Sequence, residues 1–139
     1  MANPEYHPWR EIRSRPQVDV QWCDLRPGVD GETDGSAVMR ISRRLGQIGR
    51  RSTGTHETVH IDWGHSCGQS EAVERLVRIE TARRLIPIVL LGSALAYSLD
   101  LDEVAFDIWV TRSVLDDRLS ALNDHEVAYL RGRTEHHRN

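Results

Sequence analysis

The sequence predicts an α+β fold, a short early sheet followed by a helical bundle. Three observations carry this. The stretch "VDVQW" (18–22) alternates apolar and polar residues, the period of a half-buried strand. From about residue 52 onward, apolar residues recur at helical spacing instead. Candidate strands and candidate helices therefore occupy separate stretches of chain, which is the α+β pattern. At 139 residues the chain is sized for one domain.

The elements follow in order. In "HPWREIRS", Pro8 suits the first position of a short helix, and Pro16 ends it. After the first strand, "RPGVDGETDG" (26–35) is dense in Gly, Pro and Asp and reads as a loop. "SAVMRI" (36–41) is the second strand candidate. "SRRLGQIGRRS" (42–52) is basic, broken by two glycines, and reads as a solvated segment. A helix then starts at Ser52 or Thr53 and stops at Gly64. The next runs over 70–86, with Ser70 as cap, Glu71 in the first turn and Pro87 beyond its end. Pro87 opens a third helix, to about residue 99. Two short helices follow at 100–109 and 111–122, capped by Asp100 and Thr111, and "DHEVAYLRGR" forms a last one. The tail "TEHHRN" reads as loose, with His136 and His137 in solvent. The expected organisation is thus a strand-rich part (1–50), two helices bearing the candidate site (51–87), C-terminal helices (88–132) and a tail (133–139).

Composition narrows the function class. A net charge of −3 lacks the basic field of a dedicated nucleic-acid binder. Cys23 and Cys67 are too few and too far apart for a disulfide framework or a CxxC site. The opening "MANPEYHPWREIR" is polar, so no signal peptide is expected. The longest apolar run, "LIPIVLLGSALAY" (85–97), is too short to span a bilayer, and a cytoplasmic setting is expected. Residues 101–122 suggest helix-turn-helix, but Asp116 and Asp117 on the would-be recognition helix repel phosphates.

The chemistry concentrates in "THETVH" (55–60). Residues four apart share one face of a helix, so His56 and His60 can reach one metal ion. Glu57 lies one residue along, placed to take a proton from an attacking water. A catalytic zinc site needs a third protein ligand. His65, Cys67, Glu71, Glu74 and Glu80 all lie downstream, and geometry favours a carboxylate from the next helix. Helical spacing alone leaves Glu71, Glu74 and Glu80 open.

These residues resemble the ImmA/IrrE family of zinc metallopeptidases, in particular short members carried by phages and mobile elements. "RRSTGTHETVH" (50–60) is similar to the family's lead into HExxH, and "ERLVRIETARRLIP" (74–87) to its second motif. Matching that motif back from Pro87 implies Glu74 as the third ligand. Arg78 stands where the family commonly has Asn or Asp. The resemblance implies a zincin-like fold and one Zn²⁺ per chain. It also implies endopeptidase activity on a protein, often a helix-turn-helix repressor. In zincins the strand before the active helix can pair with extended substrate, and "SAVMRI" is the candidate for that edge strand, with a core strand as its ordinary reading. His65, Arg51 and Tyr97 are candidate oxyanion donors. The alternative is a non-catalytic zinc protein that only binds a repressor or, less in keeping with the charge, DNA.

Overall fold

A computed structural model describes residues 6–66 and 68–138. It is an α+β fold with a three-stranded sheet and seven α-helices among those residues. The first helix, α1 (Pro8–Arg13), has Pro8 at its start and the His7 imidazole accepting from the Arg10 N–H. The strands are β1 (Asp19–Cys23), β2 (Gly31–Thr33) and β3 (Val38–Ser42), in the spatial order β1-β3-β2. β3 pairs parallel with β1, Asp19 opposite Val38 through Cys23 opposite Ser42. It pairs antiparallel with β2, Gly31 opposite Ile41 and Thr33 opposite Met39.

Two expectations are corrected here. The strand in "SAVMRI" is the centre of the sheet, not an edge, because both its sides are paired. The segment 26–35 is not all loop, since it supplies the edge strand β2. Asp34 forms the β2–β3 turn by accepting from the N–H groups of Ser36, Ala37 and Val38 at 2.9, 2.9 and 3.0 Å. Those bonds hold its carboxyl at about 2.

The long helix α2 (Gln47–Trp63) begins five residues before the expected Ser52, so most of the basic "RRLGQIGRR" stretch is helical. Gly49 and Gly54 lie inside it despite their poor propensity. At Gly54 a Cβ would sit 3.2 Å from the Trp9 ring, so the missing side chain admits that ring. The arginines of the stretch are tied down: Arg43 donates to the Trp22 carbonyl and Arg44 to the Leu25 carbonyl. Gly64, at φ 70°, ends the helix as the left-handed residue expected there.

Helix α3 (Glu71–Leu85) packs along α2, with Ser70 capping it through the Val73 N–H. Asp62, near the end of α2, ties α3 and the segment after α1 to that helix by accepting from Arg15 at 2.6 Å and Arg84 at 2.8 Å. The remaining helices are α4 (Ile88–Tyr97), α5 (Leu101–Asp107), α6 (Arg112–Ser120) and α7 (Asp124–Thr134). Asp100, Thr111 and Asn123 cap the last three.

Apolar side chains gather in two places. Leu85, Ile86, Leu91, Ile108 and Leu115 centre a large core among α3–α7. Ile12, Met39 and Ile41 centre a smaller one where the sheet meets α1 and α2. The tail is not loose as far as residue 138. Residues Glu135–Arg138 form a 3-10 helix, and the rings of His136 and His137 lie 2.8 Å from the carbonyls of Ala96 and Leu95 at the end of α4. Those carbonyls lack intrahelical partners, which gives the imidazoles something to bond. Among the described residues, no helix is long and apolar enough to cross a membrane.

Candidate metal centre

Helix α2 lies between the sheet and α3, so its face carries polar side chains into the interior. Thr55 and Thr58 are fully buried and satisfy their hydroxyls on the carbonyls of Arg51 and Gly54, one turn back. His56 and His60 share one face of the helix, with ring centroids 5.0 Å apart. The first turn of α3 brings Glu74 opposite them.

Glu74 touches both rings. Its Oε2 lies 3.2 Å from His56 Nε2, and its Oε1 lies 3.1 Å from His60 Nε2. One ligand atom from each of the three residues falls within 4.8 Å of the other two, so the group can bind a metal ion. Two imidazole nitrogens and a carboxylate oxygen form a donor set common to divalent transition metals, zinc and iron(II) among them, with coordination positions left open. Burial and the neighbouring His60 hold His56 below the ordinary imidazole range, with Glu74 opposing them. The neutral ring that results is the form that ligates.

The other candidate ligands go elsewhere. Glu71 is exposed and pairs with Arg78 at 2.9 Å, while Glu80 pairs with Arg84. His65 meets the far side of the His60 ring and not the converging donors. Cys67 lies outside the described residues. Of the candidate oxyanion donors, Arg51 is buried with its guanidinium 5.9 Å from the Trp109 ring centre, and Tyr97 is 80% exposed at the end of α4. Neither lines the cleft at the histidine pair.

Glu57 is 6% exposed and no side-chain hydrogen bond holds its carboxyl among the described residues. Burial pushes that carboxyl up to about 8, and the negative charges of Glu74 and Glu32 add to the push. The carboxyl lines the cleft beside the three convergent donors.

Sequence reasoning missed Gly31. A Cβ there would come within 2.5 Å of the Thr53 Cγ2 and 3.3 Å of the Glu57 Cγ, so only glycine lets β2 lie against α2. The bonds Ser42 N–H to Asp30 and Asp34 N–H to Val38 set the bonded pairs of the β2–β3 ladder. The alternation of an antiparallel ladder then turns the N–H and carbonyl of Gly31 away from β3, toward the open edge. A cavity of about 280 Å³ lies between this edge and His56, Glu57, His60 and Glu74. A second, of about 540 Å³, shares Val29, Gly31, His56 and Glu57 and extends toward Leu45, Thr53, Thr81 and Val114. The two make one cleft along α2 with the histidines at its middle. The signal for Gly31 was its two flanking acids inside a glycine-rich stretch, which reads equally as a turn.

No family model, no curated protein and no solved structure matches this chain.

Proposed function

We propose that the protein is a zinc-dependent endopeptidase acting on a protein substrate. One observation carries the reading: His56, His60 and Glu74 converge beside the Glu57 carboxyl, which has no hydrogen-bond partner among the described residues. Zinc in that place would supply Lewis acidity, lowering the pKa of water and polarising a carbonyl. His56 and His60 offer Nε2 lone pairs, and Glu74 offers a carboxylate oxygen. Glu57 accepts a proton from the attacking water and passes it to the leaving amine. Beside zinc that carboxyl would lie below its metal-free value of about 8, able to accept the water's proton. The outward backbone of Gly31 offers an extended segment one strand's hydrogen bonds, alongside the ligands.

The substrate proposed is a helix-turn-helix repressor, on the resemblance to ImmA/IrrE peptidases, and the setting a cytoplasm. The test is direct. Glu57→Gln retains the metal and lowers cleavage of such a repressor by about 10²–10⁴-fold, read by gel and mass spectrometry. A stable complex with the repressor and no cleavage by wild type would make the protein a binding module instead.

A further inference from the structure

His65 is not a ligand, yet its ring is fixed against one. Its Nδ1 lies 3.2 Å from the Nδ1 of His60, the ring nitrogen opposite the one that meets Glu74. Three constraints put it there. Gly64 turns the chain left-handed, and the His65 N–H then bonds the His60 carbonyl at 2.9 Å. The Trp63 ring meets the His65 ring edge-on, with centroids 5.7 Å apart. Gly35, at φ 81° in the β2–β3 turn, packs so closely on the His65 backbone that a Cβ would overlap the His65 carbonyl group.

We infer that His65 is a positioning residue for the metal centre, which sets the tautomer and the ring plane of His60. This rests on the metal-centre reading above. Ligation through Nε2 requires His60 to carry its proton on Nδ1. That N–H then points at His65 Nδ1, which must be the acceptor, with the His65 proton on Nε2. The reverse arrangement puts a proton on His60 Nε2 and blocks ligation. Ligating histidines usually give this bond to a carboxylate, a carbonyl or water. A neutral imidazole orients the ring without adding charge to a site that already holds Glu57, Glu74 and Glu32. Ring and backbone are both clamped, so the acceptor is set before metal arrives.

The experiment measures zinc affinity by chelator competition for the full chain and its His65→Ala and His65→Asn variants. The Ala variant should bind zinc about 10–100-fold more weakly. The Asn variant presents an amide oxygen close to the place of Nδ1 and should restore most of the loss. In ¹H–¹⁵N spectra of the zinc-loaded protein, the His60 Nδ1–H should be protected in wild type and exchange rapidly in the Ala variant. A role confined to loop packing would not move that signal selectively, and melting of the metal-free proteins reports any folding defect. Equal zinc affinity and an unchanged His60 Nδ1–H in His65→Ala overturn the inference while leaving the metal site standing. Failure of wild type to bind zinc overturns the metal-centre reading and this inference with it.

Discussion

Two buried charged groups, one in each half of the molecule, are treated in opposite ways. Arg118, on α6, is 3% exposed and fully matched. Its Nε donates to the Ile86 carbonyl at 2.7 Å, and its other nitrogens fork onto Glu126 of α7. That bond holds the Glu126 carboxyl below its ordinary value. Glu57, on α2, is buried to a similar degree with no such partner, and its carboxyl is driven up to about 8. The same contrast extends to neighbours. The Glu57 carboxyl opens on the cleft, and among the described residues the fully buried side-chain atoms without a hydrogen-bond partner are Arg50 Nε, Arg51 Nε and Ser52 Oγ, all on α2. The α4–α7 half is therefore organised for stability, and α2 keeps polar groups that stability alone would not select.

Breaking the matched side should cost the most. Arg118→Met leaves the Ile86 carbonyl without its donor and Glu126 with only Arg83 and the Asn123 N–H, and should lower unfolding free energy by about 3 kcal/mol in denaturant melts. Zinc affinity should be unchanged, because no ligand lies on α6 or α7.

The unmatched side should respond to pH with a definite sign. The folded pKa of Glu57 is raised, to about 8 from 4.5. Below pH 4.5 both states hold the proton; between those values the unfolded chain releases it first. The contribution of Glu57 is thus most favourable at the acid end, and metal-free wild type loses ground to Glu57→Gln as pH rises to about 8. The loss is at most about 1.4 kcal/mol per pH unit. Zinc should flatten the difference, since a divalent cation lowers the carboxyl's pKa. A smaller effect belongs to the matched side again. Asn123 forms a capping box with Glu126 at the start of α7, and Asn123→Ala should cost about 1 kcal/mol in the same melts.

The same division governs what was legible in the sequence. Helices α3 to α6 announce themselves through Ser70, Pro87, Asp100 and Thr111, whose capping and φ preferences act locally. The start of α2 does not, because Gly46 offers no side-chain cap and Gly49 argues against a helix; packing on the sheet and α3 decides it. β2 is three residues long, too short for alternation to show, and its glycine serves contact with Glu57 rather than a turn. In the site, the four-residue spacing puts His56 and His60 together. Choosing Glu74 over Glu71 and Glu80 took the family resemblance, since helical spacing does not reveal which acid faces α2. The ring-to-ring contact of His65 depends on a left-handed turn and a strand turn thirty residues upstream, neither of which a local pattern encodes.

The central claim is that His56, His60 and Glu74, beside the Glu57 carboxyl, form a metal site. Metal analysis of wild type and Glu74→Ala, loaded with zinc at neutral pH and desalted, tests it most directly. Wild type should retain about one zinc per chain, and Glu74→Ala, with two protein ligands left, should lose nearly all of it. A wild-type protein that retains no zinc under those conditions would contradict the account.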